Sequence, residues 1–389
     1  MNKKIGYISL EIVIICAVLL TSGIGGIAHF SKEGKTNQQV VVEKTEEVYQ
    51  SAWNGQSHKP QNPELDSNTI LVNGYDFNDS IPSGTTKIIF TDKKAPTGVS
   101  LTDMTVSKNN GIVSWIEGET YYISTQKDGV KVIANTNCRD MFWNKGSVSY
   151  IDVEMLDVSN TTDIGKMFAR TGMNASDFRV IGLDDWNVSN ITNMLELFAF
   201  AGQNSTSWDI GKLDKWNVSN VKNMNNMFNQ AGAGATTWKL GDLSKWNMKS
   251  VTEANFMFNY AARHATEWNI GNLKDWNVSS LKTATNMFYG TAQNCNNWSL
   301  GDLSNWDLSS MENIDYMFSG AGYYAKSFNL IGVDKWDTSN ILSMNRTFYW
   351  TAPQPSWTLD LSEWDVKNVT THEEFNAGVE TKVITPTWE

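Results

Sequence analysis

Seven regularly spaced tryptophans constrain the fold of this chain more than any other feature. Six of them are thirty residues apart, and the seventh follows after twenty-eight. A phenylalanine and a second aromatic residue keep nearly the same period. The seven tryptophans are Trp186, Trp216, Trp246, Trp276, Trp306, Trp336 and Trp364. Self-similarity at a fixed period of this length indicates a repeat protein, so we predict a solenoid of stacked coils.

A single copy of the repeat predicts the content of each coil. Residues 216–218 place large apolar residues on one face, as in a half-buried strand. Asn220, or a serine in its place, follows in every copy and predicts a helix N-cap. Apolar residues at helical spacing over 221–231 predict the helix, and residues 238–243 predict a second short strand. We therefore expect an α/β fold, a right-handed solenoid of roughly eight coils of about 30 residues.

The paired tryptophans of each coil could form a sugar-stacking surface or a hydrophobic core. Other copies of the repeat carry Leu156, Phe178 or Phe328 at these positions. A position that exchanges tryptophan with leucine and phenylalanine requires an apolar side chain rather than an indole. We therefore predict that these tryptophans lie in the core.

The first thirty residues predict a membrane anchor. Residues 12–30 contain no Lys, Arg, Asp or Glu and are long enough for a single transmembrane helix. The residues before them resemble a prepilin (class III) signal, in which Gly6 precedes the cut, Tyr7 becomes the N-terminus and Glu11 is the fifth residue after the cut. This resemblance implies cleavage after Gly6 and contacts with pilin-like subunits through Glu11. The alternative is an uncleaved signal anchor.

Composition divides the chain into four parts. Residues 1–30 hold the prepilin-like signal and the transmembrane helix, and residues 31–68 are polar, as expected of a helical extension and linker. Residues 69–136 contain short β-branched or aromatic runs between turn signals, which predicts a β-rich N-terminal cap. Residues 137–389 form the predicted solenoid, whose open end such a cap would cover.

Charge and motifs argue against several classes of function. The net charge of −11 opposes nucleic-acid binding, which needs a basic patch. Three distant cysteines have no metal-ligand spacing, so we expect no metal and no other cofactor. The chain contains no catalytic motif, so we do not expect an enzyme. Asp214, Asp242 and Asp302 recur on coils and leave a polysaccharide-degrading enzyme as a less favoured alternative, although aspartate is an ordinary turn residue.

The repeat itself resembles a known family. Residues 216–231 read WNVSNVKNMNNMFNQA, which is similar to the BspA-type leucine-rich-repeat surface proteins. The resemblance covers residues 137–380, and the chain departs from that family in its regular thirty-residue period and its pilin-like N-terminus. The resemblance implies a cell-surface protein that mediates adhesion or protein recognition. It carries no catalytic residue.

Positions at which the repeat copies differ are candidates for ligand binding, because the fold does not dictate them. Equivalent positions of consecutive coils lie side by side in a solenoid. The late coils carry aromatic residues there, and exposed Tyr and Trp are common interface anchors. The candidate ligand-binding residues are Tyr289, Tyr323, Tyr324, Tyr349 and Trp350. The alternative is that these residues cap the C-terminal end of the array.

These expectations describe a cell-surface protein that is membrane-anchored or pilus-associated. Its extracellular repeat head is expected to bind a protein or glycan on another cell or host surface. The alternative function is that of a minor pilin or filament spacer without a separate ligand.

Overall fold

The computed structural model describes residues 69–388 of the chain. Within the described range, no helix is both long and apolar enough to cross a membrane. Several predictions lie outside the described residues, namely the membrane segment 12–30, the linker 31–68 and the signal residues Gly6, Tyr7 and Glu11.

The regular elements are fourteen short strands, one α-helix and three short 3₁₀ helices among the described residues. The strands are β1 (Lys87–Thr91), β2 (Thr102–Asp103), β3 (Val113–Glu117), β4 (Thr120–Ser124), β5 (Val132–Ile133), β6 (Tyr150–Asp152), β7 (Leu156–Asp157), β8 (Asp177–Ile181), β9 (Ser207–Asp209), β10 (Thr237–Lys239), β11 (Asn297–Asp302), β12 (Ser327–Ile331), β13 (Leu359–Asp360) and β14 (Val383–Ile384). The helix is α1 (Gly74–Ser80), and the 3₁₀ helices are Leu183–Asp185, Leu273–Asp275 and Val333–Lys335.

The fold is a β-solenoid of about eight turns, which confirms the predicted stack of coils. Strands of consecutive coils pair in parallel, so Trp238 is in register with Trp208, and Trp208 with Phe178. One repeat therefore advances the chain by one strand, about 4.8 Å. The main sheet has the strand order β10-β9-β8-β6-β1-β4-β3-β2. Separate pairs are formed by β11 and β12, by β13 and β14, and by β5 and β7.

The residues that precede the first coil extend the main sheet. Strand β1 pairs in parallel with both β4 and β6, whereas β3 pairs antiparallel with β2 and β4. Helix α1, which the sequence pattern did not predict, begins after Asn73, whose side chain accepts a hydrogen bond from the Asp76 amide. Gly74 lets the helix approach the first turns closely, because a Cβ there would lie 2.1 Å from the Arg139 carbonyl oxygen.

The predicted helix in each coil is wrong, because Asn223 forms a parallel bridge to the neighbouring coils and residues 225–234 and their equivalents form a run of turns. Alternate amides of this run donate to the next coil, as Asn226 does to the Asn255 carbonyl at 2.8 Å. The amides between them bond within the coil, as Asn229 does to Asn226 at 3.1 Å. A helix would use these amides internally, whereas this turn ladder uses half of them to join coils.

Backbone conformation explains why a helix cannot form here. Asn226 and Gln230 have φ values of 57° and 55°, in the left-handed region. Two left-handed residues within five interrupt a right-handed helix. The apolar residues nevertheless recur every third or fourth position, because each turn returns a side chain to the core. This spacing imitates the periodicity of an amphipathic helix.

Asn220 is not a helix N-cap, since no helix follows it. Its side-chain amide donates to the Ser189 carbonyl of the preceding coil at 2.7 Å. Asn190, Ser280, Asn340 and Asn368 bond in the same way to the coil before them. The recurrence of Asn or Ser at this position therefore reflects a bond between coils.

Aromatic columns form the core, as predicted for the tryptophans. The Trp216 ring lies 6.3 Å from that of Trp246 with an interplanar angle of 2°, and Phe228 lies 5.1 Å from Phe258. The indole N–H of Trp246 donates to the Leu213 carbonyl of the preceding coil at 3.0 Å. The same bond recurs for Trp216, Trp276, Trp306, Trp336 and Trp364. Indole therefore contributes a bond between coils as well as apolar area.

We predict that Trp246→Ala destabilises the protein by about 3–5 kcal/mol, because it opens a cavity in the core. Trp246→Phe should cost only about 1–2 kcal/mol, because it keeps most of the volume and loses one neutral hydrogen bond. The Leu213 carbonyl still accepts from the Trp216 amide. Urea denaturation of the purified variants measures both values. Equal costs for the two variants would show that the hydrogen bond, not the packing, dominates.

The turn ladder generates a second prediction. Gly232 has a φ of 53°, and a Cβ there would lie 2.7 Å from atoms of Trp208 and Trp238. Gly232→Ala should therefore cost about 2–5 kcal/mol, from the left-handed backbone and the overpacking together. Gly211→Ala is the matched control, since its φ is 75° but no atom lies within 4 Å of the added Cβ.

We expect Gly211→Ala to cost about 1 kcal/mol, the backbone cost alone. The two variants are compared by thermal and urea denaturation. If Gly232→Ala is no worse than Gly211→Ala, the close packing of the turn ladder against the aromatic columns is refuted.

Candidate functional site

A ladder of loops follows the turn ladder and places variable residues of consecutive coils side by side. The His264 amide donates to the Ala233 carbonyl of the previous coil at 3.1 Å, and the Tyr324 amide donates to the Gln293 carbonyl at 2.7 Å. We call the residues at these loop positions the loop row. The loop row consists of residues 203–204, 233–234, 263–264, 293–294, 323–324 and 353–354.

Aromatic side chains from the turn ladder pack beside those of the loop row, and this group has both exposed and buried members. Tyr323 lies 4.6 Å from Tyr324 and 6.0 Å from Trp350, and Trp350 lies 6.4 Å from Tyr349, between ring centres. The structure therefore brings four of the five predicted residues into direct ring contact. We call the whole group the aromatic strip, which consists of Tyr260, Tyr289, Tyr316, Tyr323, Tyr324, Tyr349 and Trp350.

Tyr289, the fifth predicted residue, lies beneath this surface rather than on it. Its side chain is only 3% exposed, and its ring packs edge-on against Tyr260 at 5.0 Å and Tyr316 at 6.2 Å. Burial raises the pKa of Tyr289 to about 12, so its hydroxyl group stays protonated at neutral pH. Tyr289 supports its neighbours and does not face solvent.

Two arginines that the sequence pattern did not single out stabilise the strip. The Arg346 guanidinium lies 5.6 Å from the ring centres of both Tyr316 and Tyr349, and it donates to the Tyr316 hydroxyl at 2.7 Å. Arg263 lies 5.1 Å from the ring centre of Tyr260. Such cation–π contacts fix the orientation of the rings. Arginine does not recur at these positions in other coils, so the repeat pattern does not mark the two residues. Alignment of the coils, which places each arginine beside tyrosines of neighbouring coils, is the sequence signal that could have found them.

Exposure separates the members of the strip that can contact a ligand from those that support them. Tyr324 is 60% exposed and Trp350 is 40% exposed, whereas Tyr260 is buried. Exposed aromatic rings that are held by neighbouring rings form a rigid binding surface, because little side-chain freedom remains to be lost.

Other residues cover the C-terminal end of the core. Phe375, Val379 and Val383 are buried there, and the Trp388 ring packs edge-on against Phe375 at 5.2 Å. Trp388 also stacks on His372 at 4.0 Å. The Trp350 ring lies against Gly378 of the last turn. Trp350 therefore contacts the last turn while 40% of its side chain stays exposed.

The recurrent aspartates make turn contacts. Asp214 accepts a hydrogen bond from the Asp242 amide at 2.8 Å, and Asp242 accepts one from the Ser244 amide. Asp302 accepts from the Lys274 ammonium group, which holds the pKa of Asp302 down at about 2. Within residues 69–388, no group of three or more His, Cys, Asp or Glu residues is arranged to hold a metal ion.

The repeat and the coil geometry define a repeat-solenoid protein of the BspA-like kind. A family model described as "Mycoplasma protein of unknown function, DUF285" matches residues 136–239, 170–299 and 292–380, which together exceed half of the chain. The chain belongs to this family. A search of curated proteins found no match, and a search of solved structures found none either.

Proposed function

We propose that this chain is a cell-surface recognition protein whose solenoid head binds a ligand through the aromatic strip. The observation that carries the proposal is the exposure of Tyr324 and Trp350, at 60% and 40%, on positions that the repeat leaves variable. Large exposed aromatic groups that the fold does not require are typical of binding surfaces.

The composition of the strip supports recognition of a protein or glycan. Tyrosine and tryptophan bury large areas while losing few rotamers, and they combine an apolar face with a hydrogen-bonding edge. Tyr323 packs against both exposed rings, and Tyr349 packs against Trp350. The ligand would therefore meet a surface that is already ordered.

The N-terminal sequence supports a surface location for the head. The apolar residues 12–30 would anchor the chain in a membrane, and Gly6, Tyr7 and Glu11 would direct it to pilin-like subunits if cleavage occurs. We place the repeat head outside the cell, membrane-anchored or pilus-associated, with its ligand on another cell or host surface. Its role in this proposal is binding and not catalysis.

The test displays the full chain on cells and measures their adhesion to an array of proteins and glycans. We expect Tyr324→Ala combined with Trp350→Ala to weaken binding of any ligand found by about tenfold or more, because hot-spot anchors are removed. Tyr75→Ala is the matched control, since Tyr75 is an equally exposed tyrosine, at 52%, on helix α1. Binding by this control should not change.

Two measurements make the result decisive. Surface expression and thermal melting of each variant show whether the fold is retained. Tyr324→Ala alone is the safer variant, because Tyr324 is more exposed than Trp350. Unchanged binding by both well-folded strip variants would refute the proposed site.

A further inference from the structure

Arg263, on the third of the six loops of the loop row, carries a positive charge that no carboxylate of the described chain neutralises. The ion pairs among residues 69–388 include Arg346 with Glu374 and Lys166 with Glu196, but none involves Arg263. The chain as a whole is acidic, with a net charge of −11. The loop row as a whole contains no Asp or Glu at any of its positions.

The guanidinium group is held in place by neutral contacts. Its Nε donates to the Oε1 of Gln293 at 2.9 Å, and its plane lies over the Tyr260 ring at 5.1 Å. Gln293 is itself 97% buried, being only 3% exposed, and its Nε2 donates to the Gly320 carbonyl. Tyr260 can lie where it does because Gly290 has no Cβ, which would fall 2.4 Å from the ring. Arg263 is thus positioned by a buried frame.

This frame leaves the outer edge of the guanidinium group open. Only Nε has a hydrogen-bond partner among the described residues, so the N–H groups of both Nη atoms are available. Two parallel N–H groups on a planar fork match the two oxygens of a carboxylate. The side chain is half-buried, which strengthens such a pair relative to one in open water.

The groups beside Arg263 are planar and polar. The Asn294 side-chain amide lies 2.9 Å from His264 Nδ1 on the adjacent coil. Burial, and then the charge of Arg263, lower the pKa of His264. The next loop presents Tyr324, two coils from Arg263 and therefore about 10 Å along the array. A cation, amides and an exposed aromatic face thus follow one another along the loop row.

We propose that the loop row, together with the adjoining Trp350, binds an acidic glycan, with a sugar carboxylate on Arg263 and sugar rings against Tyr324 and Trp350. This inference rests on the proposed recognition function and specifies its ligand class. Sugar rings present both apolar faces and hydroxyl groups, so they suit a surface of aromatic rings and amides. The large exposed aliphatic residues are at other positions, near the N-terminal end and in the late coils, and none of them belongs to the loop row. They are Leu101, Val106, Ile116, Val130, Ile331, Leu342 and Ile384.

The test uses the full chain and an array that carries each acidic glycan beside its carboxyl-reduced form, which keeps the same backbone. We expect binding to an acidic glycan to exceed binding to its reduced form by about tenfold, the effect of one charge-assisted bidentate contact. Arg263→Gln should lower acidic binding to the level of the reduced form and leave binding of the reduced form unchanged.

Two further variants separate charge from geometry. Arg263→Lys keeps the charge but loses the fork, so we expect binding between those of the wild type and Arg263→Gln. Arg179→Gln makes the same charge change at an exposed position of strand β8, away from the loop row, and should bind as the wild type does.

The possible outcomes distinguish this inference from the function on which it rests. Equal binding of acidic and reduced glycans, or full binding by folded Arg263→Gln, overturns the acidic-glycan inference alone. Binding only to proteins, with loss in the Tyr324→Ala and Trp350→Ala variants, also overturns it while the recognition function stands. Acidic binding that depends on neither Tyr324 nor Trp350 overturns the proposed site as well.

Discussion

The hydrogen bonds between successive coils are the interaction on which the rest of this structure depends. In the turn ladder every second amide donates to the next coil, as the Phe228 amide does to Met257 at 2.7 Å. The indole of Trp216 and the side chain of Asn220 add bonds to the preceding coil. No coil can satisfy these groups alone, so an isolated repeat would leave buried polar groups unpaired. Stability therefore belongs to the stack and not to any one coil.

The sequence predicted the stack but not the local structure that forms it. The thirty-residue period and the exchange of tryptophan with leucine identified the coils and their core. The helix prediction was wrong because the spacing of apolar residues indicates which side chains face inward. It does not indicate which carbonyl group each backbone amide bonds to. Left-handed residues break the helix, but Gln230, Tyr260 and Trp350 occupy that position without glycine. Only Gly290, Gly320 and Gly378, in the same row, signalled the conformation.

The same limit applies to the candidate site, where the thirty-residue register predicts which residues are neighbours but not which side chains contact each other. Register alone predicted that the late-coil aromatic residues would be neighbours. It could not predict that Tyr289 is buried, because its burial results from the Tyr260 and Tyr316 rings that pack against it. Nor could it predict which arginine forms an ion pair with a carboxylate. Arg346 bonds to Glu374, which is 28 residues later because the last repeat is shorter than thirty residues. Contacts of this kind depend on side-chain direction and coil length.

The regular stack also explains how a variable surface can exist on a fold with so many fixed contacts. In each coil, alternate turn amides bond to the next coil, two aromatic side chains pack in the core columns, and one polar side chain bonds to the preceding coil. The backbone of the loop row joins consecutive coils, as the Asn294 amide does to the Arg263 carbonyl at 3.3 Å, whereas its side-chain bonds, such as that of Arg263 to Gln293, differ from coil to coil. Because the backbone bonds do not depend on residue type, the side chains of the loop row differ among coils while the stacking is kept. A charge placed on one coil and aromatic rings placed two coils later are then held at a fixed spacing, which suits an extended ligand better than a compact one.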